Sequence, residues 1–273
     1  MADNKSILII SDMVGIGTIA TTAMMPILTY LGFSTCSLPT SLVSNNFGYG
    51  SYAMTDTSDY LRETFPVMEK LGFGFMAIAT GFIPSLEQAV MISDFCRKQA
   101  KGGTPIFVDP VMGDGGEMYK GLPATTVDSM KKMLEVADLC YPNYTEACYL
   151  TGAPYKSEGI GKEDAFKMVD EIRAMGSASV LITSIKVDGK ASVAGFNAED
   201  GEYFILGYEE IPLVFSGTGD VFSAILIGNL LKGMGLKRST RKAMDGVYNL
   251  IMLNKDAKDP YLGLPVEKYL TIL

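Results

Sequence analysis

The chain has 273 residues, 48% apolar and 20% charged, with 29 Gly and 12 Pro, enough to bury one large core or two small ones. Its net charge of -8, from 31 acidic and 23 basic residues, argues against nucleic acid or an anionic membrane as partner, so any phosphate it handles needs local help. It has no histidine, which removes His-based triads, imidazole-ligated zinc and imidazole pH switches.

Short β-branched runs alternate with longer segments of helical period, the pattern of an α/β protein whose mostly parallel central sheet is covered by helices on both faces, an α/β/α sandwich. Residues 1–6 are polar and the apolar run Ile7 to Ile10 is too short for a signal sequence, so neither export nor a membrane span is expected. Residues 6–11 read as a strand closed by Gly15 and Gly17. From Thr18 the residues Ala20, Ala23, Met24, Ile27, Leu28 and Leu31 recur at helical spacing until Gly32. Further strands are predicted near 34–39, 73–80, 105–109, 178–184, 191–197 and 203–208. Helices are predicted over 58–71, 85–101, 125–136, 144–150, 162–175, 218–232 and 238–253. With no repeat and no Pro/Ser-rich linker, residues 1–273 are expected to form a single domain. Cys36, Cys96, Cys140 and Cys148 form no Cys-x-x-Cys pair, which suits a reduced cytoplasmic protein.

Gly15-Ile16-Gly17-Thr18-Ile19-Ala20 fits the dinucleotide-binding pattern G-x-G-x-x-G/A, which places it after a strand and at a helix start. The pattern also requires an acid, or an Arg, about twenty residues on, but Met13 to Thr55 contains no Asp, Glu, Lys or Arg. In that uncharged stretch Thr40, Ser41, Ser44, Asn45 and Asn46 read as a loop suited to a neutral polar ligand, or as an ordinary Ser/Asn turn cluster.

Three polar clusters stand at strand ends. Ser216-Gly217-Thr218-Gly219-Asp220 precedes an apolar helical run; its glycines let successive amides converge on an anion, with Asp220 beside it to take the proton of an attacking alcohol. The plainer reading is a helix cap by Thr218 or Ser216, with Asp220 favoured by the dipole. Asp109-Pro110-Val111-Met112-Gly113-Asp114 offers the hard oxygens that Mg²⁺ prefers. Asn143 and Glu146 lie three apart at a helix start, where they also suit a capping box. No G-x-x-x-x-G-K-[ST] occurs, so phosphate binding rests on the Gly-Thr-Gly turn.

These motifs, in this order, resemble those of the vitamin B6 kinases (pyridoxal, pyridoxine and pyridoxamine kinases) of the ribokinase-like superfamily. The resemblance runs from Ser11 through Pro26, Leu31-Gly32-Phe33, Ser44-Asn45 and Thr80-Gly81-Phe82 to the three clusters, Ile182-Thr183-Ser184 and Gly217-Thr218-Gly219-Asp220. It implies a ribokinase-like fold and ATP-dependent phosphorylation of the 5′-hydroxymethyl group of a pyridine vitamer, with Mg²⁺ bridging the phosphates. By the same likeness Asp220 is the base, and Gly217, Thr218 and Gly219 form the anion hole. Asp109 and Glu146 face the metal. Asp109, Asp114, Asn143, Ser184 and Thr218 face the nucleotide. Ser11, Asn45, Phe47 and Phe82 face the vitamer. A cytoplasmic homodimer is implied as well. The chain departs from the family at Asp12, where His or Gln is usual, at Asn46-Phe47 in the loop, and at Tyr141 before Pro-Asn. Hydroxymethylpyrimidine kinases share the fold and often carry Cys where this chain has Asp220. A non-catalytic vitamer- or nucleotide-binding protein is the rival from another class, separated by ligand binding without ADP release.

Overall fold

Ile7, Leu8, Ile9 and Ile10 are all buried in the computed structural model, which describes residues 6–273. Burial of successive residues means that both faces of the first strand are covered, as in a parallel sheet between helix layers. In chain order the elements are β1 (Ser6–Ile16), α1 (Thr21–Tyr30), β2 (Ser34–Asn45), β3 (Met54–Asp56), α2 (Ser58–Leu71), β4 (Ala77–Thr80), α3 (Leu86–Ala100) and β5 (Ile106–Val108). They continue with β6 (Gly113–Asp114), β7 (Glu117–Met118), α4 (Thr126–Leu134), β8 (Leu139–Cys140), α5 (Tyr144–Thr151) and α6 (Lys162–Arg173). The last are β9 (Ser179–Val187), β10 (Lys190–Asn197), β11 (Glu202–Gly207), α7 (Thr218–Leu231) and α8 (Leu236–Leu253).

The chain divides into two compact units: one runs to Thr57 and resumes over Ile211–Leu273, the other is Ser58–Glu210. In the first, β1 and β2 pair in parallel from Ser6↔Ser34 to Ile16↔Asn45, and β3 adds antiparallel to the far end of β2. Helix α7 packs on α1 and α8. Every residue from Val221 to Asn229 is buried, the signature of a helix surrounded by protein. Asp220 stands in the first turn of this buried helix.

In the second unit the strands lie in the order β11-β10-β9-β8-β5-β4, parallel from β4 to β9 and antiparallel at β10 and β11. Helices α2 and α3 meet through Phe65 and Phe95, whose rings stack 4.6 Å apart. Among the described residues no helix is long and apolar enough to cross a membrane. The four cysteines are free thiols, with Cys96, Cys140 and Cys148 buried.

Two sequence expectations are corrected. Thr40, Ser41, Ser44 and Asn45 do not form a loop; they belong to β2, because β1 continues past Ser11 and pairs Met13, Val14 and Ile16 with Leu42, Val43 and Asn45. For the same reason the dinucleotide-type glycines do not open a helix. Gly15 and Ile16 lie in β1, the Thr18 N–H donates to the Leu262 carbonyl, and α1 begins only at Thr21. A pyrophosphate-binding turn needs the helix start immediately after the strand, so the NAD-type reading loses its structural basis.

Candidate active site

In the first unit the chemistry centres on Asp220. The cap of α7 is Gly217, in a left-handed conformation (φ 77°) with no side-chain cap, so neither Thr218 nor Ser216 takes up the first-turn amides. A Cβ at Gly217 would stand 2.8 Å from the Thr18 carbonyl oxygen, a second reason for glycine there. Uncapped amides at the positive end of a helix favour a bound anion. The Asp220 carboxylate accepts the Ala20 N–H at 2.8 Å through Oδ2. Burial pushes the Asp220 pKa up to about 7; the Ala20 bond lowers it, and the Asp12 charge raises it further.

Ala20 is held at φ 51°, ψ -132°, a conformation rare for a residue with a Cβ, and it is the cap of α1. The strain aims its amide at Asp220, the kind of backbone cost that collects at functional sites. Ser11 is buried and its hydroxyl donates to Asp12 Oδ1 at 3.1 Å. Phe47 packs against the cluster of Val14, Ala20 and Val43. Asn45 spends its amide locally: Nδ2 donates to the Asn46 and Ser51 carbonyls, and Oδ1 accepts the Ser44 hydroxyl at 2.6 Å. It therefore shapes the turn that carries Phe47.

In the second unit Asn143 and Glu146 form a capping box at the start of α5, with the Glu146 N–H donating to Asn143 Oδ1 at 3.0 Å and the Asn143 N–H to Glu146 Oε2 at 2.8 Å. The arrangement goes beyond capping. Glu146 Oε1 accepts the Met112 N–H at 3.0 Å, and Asn143 Nδ2 donates to the Gly113 carbonyl at 2.8 Å, so α5 grips the turn after β5. Gly113 is fixed there, because a Cβ would fall 2.2 Å from the Glu117 carbonyl oxygen. The β6–β7 hairpin is tied down as the Gly116 N–H donates to Thr145 Oγ1 at 2.9 Å. Asp109 follows β5 and is partly buried, while Asp114 is exposed at the hairpin. Ser184 lies where β9 bulges against β10, at φ 54°; it hydrogen-bonds Tyr208, whose phenol also feels the charge of Asp114. Phe82 is buried after β4.

Burial pushes the Glu146 carboxyl well up, and Asp109 adds to the shift. A divalent cation would relieve such a pair of carboxylates. Among the described residues no group of three or more Asp, Glu, Cys or His side chains could hold a metal alone. That donor set suits Mg²⁺, which keeps waters and takes one or two carboxylates together with substrate phosphates.

Residues 23–261 match the family model described as phosphomethylpyrimidine kinase. The chain belongs to the phosphomethylpyrimidine kinase family. It is similar to the pyridoxal kinase of Dictyostelium discoideum, 27% identical over 85% of this chain and 80% of that one. Among solved structures it is similar to the pyridoxal kinase of Lactobacillus plantarum, with TM-score 0.87, 27% identity and coverage of 98% and 96%. It is also similar to a Bacteroides thetaiotaomicron protein, provisionally named a phosphomethylpyrimidine kinase and solved with pyridoxal, with TM-score 0.92, 30% identity and coverage of 98% and 95%. These likenesses make the fold ribokinase-like and the protein a phosphotransferase with an alcohol acceptor. Within this kinase family the matched stretch begins after Ser11, Asp12 and Ala20. Sequence reasoning read Ala20 only as an apolar helical position and missed its strained backbone, because an alanine there carries no signal of one. It missed the grip of Glu146 on Met112 for a related reason, since a bond across 34 residues leaves no local pattern.

Proposed function

We propose that this protein phosphorylates the 5′-hydroxymethyl group of a B6 vitamer, pyridoxal, pyridoxine or pyridoxamine, with ATP as donor. The observation that carries the reading is Asp220: a carboxylate oriented by a backbone amide, beside an uncapped helix start, with a pKa of about 7. A base poised near neutrality is what deprotonation of an alcohol needs at physiological pH. The vitamer oxygen attacks the γ-phosphorus, its proton passes to Asp220, and the bond to the β-phosphate oxygen breaks to leave ADP. The amides of Thr218, Gly219 and Asp220 hold the charge that builds on the transferring group.

Asp109 and Glu146 are the residues that would hold Mg²⁺, which neutralises phosphate charge when bound. Asn143, Asp114 and Ser184 belong to the nucleotide in this reading, and Ser11, Asn45, Phe47 and Phe82 to the vitamer. Residues 1–273 act as one kinase domain, and the homodimer and the cytoplasm rest on family likeness alone.

The family model's description, phosphomethylpyrimidine kinase, favours a second reading, a pyrimidine kinase, for which hydroxymethylpyrimidine is the acceptor to try. ADP release by the purified protein, with Mg²⁺ and ATP and each of pyridoxal, pyridoxine, pyridoxamine and hydroxymethylpyrimidine, separates the two. Turnover with at least one pyridine and little with the pyrimidine is expected. Turnover with the pyrimidine alone would transfer the protein to the second reading, and vitamer binding without ADP release would mark a binding protein.

A further inference from the structure

Asp12 has no place in the reaction just described, yet β1 presents it in an unusual setting. The β1–β2 register slips at this residue: Ser11 pairs with Pro39 and Met13 with Leu42, leaving Thr40 and Ser41 opposite Asp12 alone. A bulge of this kind re-aims side chains near active sites. Asp12 is only 7% exposed, so it and Asp220 are two carboxylates drawn out of water in the same unit. The next residue, Met13, bridges Ala20, and the Ala20 N–H donates to Asp220 at 2.8 Å. Three links therefore join Asp12 to the base.

We propose that Asp12 is a positioning residue for the transfer reaction, a second buried carboxylate whose charge tunes the base Asp220. The inference rests on the reading of Asp220 as that base. Burial is the larger influence on Asp220, and Asp12 acts in the same direction, against the Ala20 bond. Asp12 itself is pushed by burial to about 6, with the Ser11 hydroxyl working against the shift, so it is charged in the range where Asp220 titrates. Other charges around α7 are few. Helix α1 and strand β2 carry none, and Asp220 is the only one on α7. On α8, Lys237, Arg238, Lys242 and Asp245 are exposed, and Arg241 pairs with Asp245 at 3.8 Å. Asp259, in the C-terminal segment, accepts the Tyr49 hydroxyl at 2.6 Å.

The test is the pH profile of kcat/KM for Asp12→Asn and Asp12→Glu beside the unaltered enzyme. Asn keeps the shape and an acceptor for Ser11 but removes the charge, so the acid limb moves to lower pH by about one unit. Glu keeps the charge and leaves the limb near its original position. A limb that stays put in Asp12→Asn, or that moves equally in Asp12→Glu, overturns the proposal. If Asp12→Asn does not fold, Asp12→Ser removes the same charge and is read the same way. An NMR titration of the Asp220 carboxyl in ¹³C-aspartate-labelled protein, assigned with Asp220→Asn, needs no turnover and separates this inference from the proposed reaction. A midpoint lowered by Asp12→Asn supports it whatever the enzyme phosphorylates, and an unchanged midpoint overturns it.

Discussion

Asp220→Asn loses about a thousandfold in kcat while nucleotide binding stays within a few-fold of the unaltered enzyme, the pattern of a proton acceptor used only in the transition state. Asparagine still accepts the Ala20 N–H, so the fold around the α7 start is kept; what is lost is the ability to take the hydroxyl proton. In the unaltered enzyme the same carboxyl sets the acid limb. Below a pKa of about 7 it is protonated and cannot accept, so kcat/KM falls as pH drops through that value. The stability effect has the opposite sign. The folded carboxyl holds a proton from about pH 4 to 7 that the unfolded chain has already released, so its burial opposes folding above pH 7, and that penalty is relieved as pH falls towards 4. Asp220→Asn removes the penalty. The variant melts higher than the parent at pH 8, and the gap closes towards pH 4. A variant that retains most of its kcat, or melts lower at pH 8, contradicts the role given to this residue.

Glu146→Ala carries the largest expected loss of stability, about 2–4 kcal/mol, because it strands two backbone donors at once. The Met112 and Asn143 amides both end on this carboxylate, which is 3% exposed. Removal of the buried charge beside Asp109 offsets part of the loss. Glu146→Gln keeps one acceptor and costs about half as much. Chemical denaturation of the three proteins checks the order parent, Gln, Ala. If Ala is as stable as the parent, the grip of α5 on the turn after β5 is not holding that turn.

The helices were legible because their signals are local. The helices predicted over 58–71 and 85–101 reappear as α2 and α3, and the start of α5 follows from Asn143 and Glu146 in the sequence alone. Strand ends were less so. Leu42 and Val43 sit among Ser, Thr and Asn, and what makes them a strand is pairing with Met13 and Val14, a contact no local pattern encodes. Strands β3 and β8 escaped for lack of length, and β6 and β7 because a two-residue hairpin arm reads as a turn. At the candidate site the titratable residues and glycines were visible as types in a family order. Their partners were not: the Ala20 amide reaches Asp220 across 200 residues, and Asp12 is buried through a register slip invisible in the sequence.

The measurement that bears most directly on the proposed reaction is product analysis after incubation of the protein with ATP, Mg²⁺ and pyridoxal. Stoichiometric ADP and pyridoxal 5′-phosphate, with both products lost in Asp220→Asn, is the result predicted. ATP hydrolysis without a phosphorylated vitamer, or pyridoxal 5′-phosphate formed equally well by Asp220→Asn, would contradict it.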